Sequence, residues 1–249
     1  MRAYLLLLVT LSVAAVRAQV GQYRNDLAVG INGGYTMTSV NFLPKVPQDM
    51  LGGATGGLTV RYTCEKYFNS ICAIVTELNY SQMGWKESIL TPEDEPVVNY
   101  ATGLPEEYQR MITYLQLPIF ARMGWGRERS GFQAFFQVGP QLGYYLNEST
   151  TTNFDIKNPN MYERTSSVNK QYEMPVENKL DYGIAGGLGL EFSNRHIGHF
   201  LLEGRYYYGL GNLYGNSKRD YFAISNFQNI TVKLSYLFDI VKTKNPAIK

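Results

Sequence analysis

Apolar and polar residues alternate one by one along most of the chain, the period-two signature of strands with two unlike faces. In a first predicted strand, Leu27, Val29, Ile31, Gly33, Tyr35 and Met37 share one face, and Ala28, Gly30, Asn32, Gly34, Thr36 and Thr38 the other. A second sets Leu58, Val60 and Tyr62 against Thr59, Arg61 and Thr63. A third sets Ile74, Thr76, Leu78 and Tyr80 against Val75, Glu77, Asn79 and Ser81. The fourth runs from Arg110 to Met123, and the fifth from Phe132 to Tyr144. The sixth alternates Tyr182, Ile184, Gly186, Leu188, Leu190 and Phe192 with Asp181, Gly183, Ala185, Gly187, Gly189 and Glu191. The seventh, Phe200 to Leu210, and the eighth, Asn229 to Phe238, repeat the pattern. Pro118 and Pro140 fall inside strands four and five. Proline offers no N–H to a ladder and a closed barrel has no edge to hide it, so a bulge or register change is predicted at each.

The connections alternate in length. Glu65–Ile71, Gly124–Gly131 and Asn194–Gly198 are short; Ser39–Gly53, Glu87–Glu107, Glu148–Asn178 and Leu213–Ala223 are long. Short turns at one rim and long loops at the other mark an outer-membrane barrel, with the short end in the periplasm. The predicted fold is therefore all-β: an eight-stranded antiparallel up-and-down transmembrane β-barrel with short periplasmic turns and long extracellular loops. A secreted lipocalin-like barrel also has eight strands, but water outside would demand a dense outer coat of Lys and Glu. Here the polar face is mostly Gly, Ala, Asn, Gln, Ser and Thr. Its few charges are Arg61, Glu77, Arg110, Arg122, Glu191, Glu203, Arg205 and Lys233. An eight-stranded lumen is only wide enough for side chains to fill, so these charges must pair there. Together with Tyr114, Phe120, Tyr145 and Tyr207 they are expected to block the lumen.

Composition supports strands over helices: 20 Tyr, 12 Phe and 24 Gly in 249 residues. A charged start, an apolar run from Tyr4 to Val16 and Val16-Arg17-Ala18 read as a cleaved signal peptide over 1–18. Removing Arg2 and Arg17 with it leaves acids and bases equal in number, which takes away compositional support for a nucleic-acid partner. The remainder, 19–249, reads as one barrel domain with a short C-terminal tail, 239–249.

The chemistry is sparse. Cys64 and Cys72 flank the first short turn; they could face one another as a disulfide or stand as two small residues at the rim. His196 and His199 lie in or beside the third short turn, where a structural role outweighs a metal pair. No His lies in a long loop, which weighs against a His-based outer-membrane hydrolase. Glu93, Asp94 and Glu95 read as a solvated loop tip, and Gly52-Gly-Ala-Thr-Gly-Gly57 as the return turn into strand two. Arg127 and Arg129 meet head groups or water. No catalytic residue, metal or cofactor is expected.

Five segments taken in order carry a resemblance: Glu77-Leu-Asn-Tyr-Ser-Gln-Met-Gly-Trp85, Tyr114-Leu-Gln-Leu-Pro-Ile119, Gly139-Pro-Gln-Leu-Gly-Tyr144, Asp181-Tyr-Gly-Ile-Ala-Gly-Gly-Leu-Gly-Leu-Glu191 and Glu203-Gly-Arg-Tyr-Tyr-Tyr-Gly-Leu210. Together they resemble the PorT-like outer-membrane β-barrel proteins of bacteroidete bacteria. The resemblance implies an eight-stranded barrel in the bacterial outer membrane, in contact with lipid and lipopolysaccharide. It further implies an accessory of protein export or envelope assembly with secretion-system or envelope proteins as partners, and it supplies no catalytic motif. One departure is that Tyr236 and Phe238, which match the terminal aromatic signal of such barrels, are followed by Asp239 to Lys249. The alternative functions are a small-molecule binding or narrow-channel barrel and, in third place, the soluble secreted barrel.

Overall fold

A computed structural model describes residues 21–215 and 220–243. The predicted leader, 1–18, and the tail beyond Thr243 lie outside the described residues. Nine strands form one antiparallel sheet: β1 (Gln22–Leu43), β2 (Gln48–Asp49), β3 (Leu51–Tyr67), β4 (Ser70–Glu87), β5 (Tyr108–Gly126), β6 (Gly131–Thr152), β7 (Leu180–Asn194), β8 (Gly198–Gly209) and β9 (Ile224–Val241). Every long strand pairs with its sequence neighbour, β1 pairs with β9, and the β4–β5 pairing completes an up-and-down ring of eight. The two-residue β2 is an addition to β4, pairing Gln48 with Glu87 and Asp49 with Lys86.

The faces are those the alternation predicts. Ile31, Leu58, Leu78, Leu117, Leu142, Leu188, Leu202 and Leu234 point outward and are exposed. Asn32, Thr59, Glu77, Gln116, Gln141, Glu191, Glu203 and Lys233 point inward and are buried. An apolar exterior around a polar interior is the arrangement lipid demands, and it is the reverse of a water-soluble barrel. Leu234 sits in the middle of this belt, beside Gly33 on β1 and Leu202 on β8. Leu234→Arg is therefore expected to cost roughly 2–4 kcal/mol of folding free energy in lipid vesicles, the midplane penalty for a cation. Equal denaturant midpoints for variant and parent would contradict this placement of the belt.

The strands are longer than the alternation suggests. β1 and β6 each hold 22 residues, about twice the 9–11 that a tilted strand needs to cross. The surplus lies on the side of the long loops. On β4, Tyr80 is the last exposed apolar residue, and the next outward positions are Gln82, Gly84 and Lys86. The extracellular ends thus stand clear of the apolar belt as a walled extension.

The segment Gly52–Gly57, predicted as a loop turn, belongs to β3 instead. The reason is close packing: a Cβ on Gly57 would sit 1.9 Å from the Leu78 carbonyl oxygen of β4. The glycines let the strands approach without a side chain between them. The prolines also correct the reading. Pairing of β4 with β5 passes from Thr76↔Ile119 to Asn79↔Gln116, and that of β5 with β6 from Pro118↔Gln141 to Ala121↔Val138, with the register kept. Each proline costs the ladder local rungs and not its alignment, and the Thr76 hydroxyl donates to the Pro118 carbonyl at 3.2 Å. The register shift lies at Thr113/Tyr114. The expected tail also begins later, since Asp239 is still within β9 and pairs with Ala28. The first turn is tight, with Tyr67 paired to Ser70 and Phe68 at φ 51°.

Candidate functional site

The lumen is filled at three levels. Nearest the short turns, Glu191 of β7 is the hub. Arg61 reaches its Oε1 at 2.7 Å, Arg122 binds its Oε2, and His199 Nδ1 lies 2.7 Å from Oε1. The other ring nitrogen of His199 is 3.0 Å from Asp239. Strand alternation places these groups on one floor: Arg61 from β3, Arg122 from β5, Glu191 from β7, His199 from β8 and Asp239 from β9. The turn 127–130 closes over this mouth, with Glu128 holding Arg24 at 2.8 Å and Lys66 at 2.7 Å. Burial alone would raise the Glu128 carboxyl, but these two cations outweigh it and hold the group below its ordinary range.

The middle level is a second cluster. Glu77 takes a two-pronged contact from Arg205, at 3.0 Å to each oxygen, and also binds Lys233. Arg205 bridges on to Glu203 at 2.8 Å, where Gln137 donates at 2.9 Å. The guanidinium lies over the Phe120 ring, 4.4 Å from its centre. Such planar, bidentate pairing suits Arg in a place without bulk water.

Toward the long loops the filling becomes aromatic. Tyr207 donates to Asp181 at 2.6 Å, and Tyr114 meets Phe227 edge-on at 5.7 Å between centres. Above them Trp85 packs against Phe42 at 5.3 Å, and Tyr108 against Tyr172 at 4.6 Å. Aromatic pairs of this kind add about 0.5–1.5 kcal/mol each beyond area burial. Arg110 stands apart from the other lumen charges. It pairs with Glu148 at 2.7 Å and donates to the Tyr214 hydroxyl at 3.0 Å and the Met174 carbonyl at 2.7 Å.

The third long loop folds inward as a cap. Its short 3-10 turn, Lys170–Tyr172, delivers Gln171 and Tyr172 into the mouth, and both are buried. Arg164 fastens it, reaching Glu106 at 2.6 Å and the Tyr172 hydroxyl at 2.6 Å. Gln171 donates to Glu87 at 3.2 Å. Burial pushes the Glu87 carboxyl up to about 7; the Tyr172 and Gln171 hydrogen bonds and the Arg164 charge pull it down only in part, and Glu106 adds to the rise.

The eight lumen charges named from sequence thus divide. Arg61, Arg122 and Glu191 meet at the periplasmic floor; Glu77, Glu203, Arg205 and Lys233 meet in the middle; Arg110 serves the cap. Tyr114, Phe120 and Tyr207 are buried in the lumen, and Tyr145 is half-buried at its side. His199, directly beside the third turn, is a buried lumen group on β8, since the alternation begins directly after Gly198, where φ is +109°. His196 remains exposed in the turn. The sequence reading missed Asp181, Glu148 and Asp239 as lumen partners, although the first and last sit at inward parity on their strands.

Cys64 and Cys72 are not bridged in this structure. A register shift at Thr63/Glu65 sets Glu65, not Cys64, opposite Cys72. The Cys64 thiol instead lies 3.4 Å from the Cys72 carbonyl oxygen. Among the described residues no group of three or more His, Cys, Asp or Glu could hold a metal ion, and no helix is long and apolar enough to cross a membrane.

Comparison with known proteins gives one family. Its model, described as an outer membrane protein beta-barrel domain, matches residues 17–215. No curated protein matches the chain. Among solved structures, Ail, the attachment invasion locus protein of Yersinia pestis, in complex with the heparin analogue sucrose octasulfate, aligns at 12% identity and a TM-score of 0.35, over 85% of this chain and 99% of that one. Neisserial surface protein A aligns at 9% identity and a TM-score of 0.39, over 85% and 97%. The outer membrane protein OprG from Pseudomonas aeruginosa aligns at 13% identity and a TM-score of 0.36, over 88% and 98%.

Proposed function

The chain belongs to the outer membrane protein beta-barrel domain family, and from that premise we propose that it is a non-conducting, non-enzymatic barrel acting through partner proteins. It is an integral β-barrel protein of the bacterial outer membrane. The finer reading is an accessory of protein export or envelope assembly, in the manner of the PorT-like barrels it resembles. It is exported by the leader 1–18 and forms one domain over 19–249.

The observation that carries this reading is the filling of the lumen. Ion pairs centred on Glu191 and Glu77, followed by an aromatic layer and a folded cap, occupy the lumen and support a barrel without porin traffic. The faces left for function are the long loops and the periplasmic turns. Loops carried on a rigid scaffold are where binding residues concentrate.

The test is affinity purification of the tagged protein from outer membranes in mild detergent, with mass spectrometry of what co-purifies. Stoichiometric recovery of secretion-machinery or envelope-assembly components is the expected result. Recovery of the barrel alone would contradict the accessory role.

A further inference from the structure

The barrel wall has a gap above β7 and β8. β6 runs on to Thr152 and β9 begins at Ile224, but β7 starts only at Leu180 and β8 stops at Gly209. The β6–β7 ladder accordingly ends at Tyr144↔Leu180, followed by one main-chain bond, Tyr145 N to Lys179 O at 2.8 Å. Above that point Leu146–Thr152 has β5 on one side only. The facing edge of the gap, on β9, is covered. There Leu213 N donates to Ser225 O at 2.8 Å, and Ser225 N donates to the Asn212 side chain at 2.9 Å. The segment after β8 thus closes one edge of the gap, and the β6 edge is left without a main-chain partner among the described residues.

Parity shows which groups are left over. Asn147, Ser149 and Thr151 are matched with Thr113, Met111 and Gln109, and beyond them Asn153 N donates to Glu107 O at 3.3 Å. The odd-numbered residues of this stretch therefore spend their N–H and C=O groups on β5. An extended strand turns those of Glu148, Thr150 and Thr152 the opposite way, toward the gap. They repeat at every second residue, about 7 Å apart. Neither Lys nor Pro blunts this edge. Its one charge, Glu148, is taken up by Arg110 at 2.7 Å. Leu146, Asn147, Ser149, Thr150 and Thr151 are exposed.

A row of donors and acceptors at that spacing fits one kind of occupant, an extended polypeptide. A second copy of this barrel does not supply it. A two-fold axis along the membrane normal would cross two copies of a strand tilted by about 35–45° at roughly 70–90°, whereas ladder neighbours lie only about 20–25° apart. We propose that β6 takes up an extended segment of a partner protein as an added strand, bonded main chain to main chain at Glu148, Thr150 and Thr152. Asn147, Ser149 and Thr151 are neutral, and Glu148 is already paired with Arg110. The edge therefore suits a neutral partner strand rich in Thr, Ser and Val, which cross-strand contacts with such side chains favour. The inference rests on the proposed action through partner proteins and gives that action a place in the fold.

The test uses the full-length protein in zwitterionic detergent as bait for a displayed library of random heptapeptides. The variants are Thr150→Pro, which removes one unpaired N–H and keeps the rungs to β5, and Thr150→Val, which changes the side chain alone. Proline is tolerated on a strand where its nitrogen faces away from the sheet, so both variants are expected to melt like the parent. The expected result is a set of peptides that bind the parent and Thr150→Val alike and bind Thr150→Pro about tenfold or more weakly. Amide deuterium exchange, read residue by residue by NMR on the parent protein, needs no variant. It is expected to slow at Glu148, Thr150 and Thr152 when a selected peptide is added. No selected peptide, equal affinity for Thr150→Pro at parental melting, or unchanged exchange at these three amides overturns the proposal. None of these results bears on which proteins co-purify from outer membranes, so failure of the edge and failure of the accessory role are told apart.

Discussion

Glu77→Ala is expected to destabilise the barrel by about 3–5 kcal/mol, the range found when one partner of a buried ion pair is removed. Glu77 is the common acceptor for Arg205 and Lys233. With the carboxylate gone, Arg205 keeps Glu203. Lys233, 1% exposed, loses its hydrogen-bond acceptor. An ammonium group in that position must find a new partner, admit water or lose its proton, and each of these weakens the folded state. Glu77→Gln keeps the shape and one acceptor oxygen and is expected to cost less than Ala. Urea titration in lipid vesicles, read by heat-dependent gel mobility, measures both. A variant with the parental midpoint would show that the middle cluster contributes nothing net. Leu234→Arg, on the opposite face of the neighbouring position, probes lipid contact instead, so the two variants separate the interior from the exterior.

The extracellular cap is expected to loosen as pH rises from 5 to 8. Glu87 stands at the extracellular end of β4, beyond the apolar belt. Burial is the chief reason that its carboxyl is pushed up to about 7. Around it lie Gln171, Tyr172 and Arg164 of the third loop, Glu106 of the second, Tyr108 of β5 and its strand partner Gln48. The folded cap binds the proton more tightly than an open chain does. Its stability is therefore fullest below the ordinary carboxyl range near 4.5, falls as pH rises toward 7, and is flat above it. The full swing is on the order of 3 kcal/mol at 1.36 kcal/mol for each pH interval of one. Ionised, Glu87 carries the desolvation cost of its burial and is repelled by Glu106, and the bonds from Tyr172 and Gln171 and the Arg164 charge offset this only in part, so opening of the loop to water becomes easier. Hydrogen exchange of residues 153–179, corrected for the intrinsic pH dependence, is expected to show more opening at pH 8 than at pH 5. Glu87→Gln mimics the neutral acid and is expected to abolish the difference. Equal protection at both pH values in the parent protein would refute the mechanism.

The barrel itself was legible because lipid and lumen impose opposite demands on successive residues. Leu188, Leu190 and Phe192 alternate with Gly187, Gly189 and Glu191 as plainly as any strand can. Where the strands leave the apolar belt that contrast ends. Leu51–Gly57 and Glu148–Thr152 are strand in the structure, yet read as loop, since neither carries an apolar outward face. The lumen charges were identifiable by parity, but their partners were not. Glu77 meets Arg205 across 128 positions of sequence and Lys233 across 156. Such choices depend on register and on the height of each residue in the barrel, which alternation leaves open. His199 was hidden by its place beside a turn, and Asp239 by its place after the terminal aromatics. The cap was hidden for a different reason. Arg164, Gln171 and Tyr172 lie in a long polar segment with no periodicity, and only their joint burial against Glu87, Glu106 and Tyr108 reveals what they do.

The proposed function requires an outer-membrane barrel that is closed and works from its surfaces. Planar-bilayer recording of the purified parent protein tests it most directly. The filled lumen predicts no steady channel openings at neutral pH. Reproducible steady conductance from the unmodified protein would contradict the closed lumen and return the function to the pore.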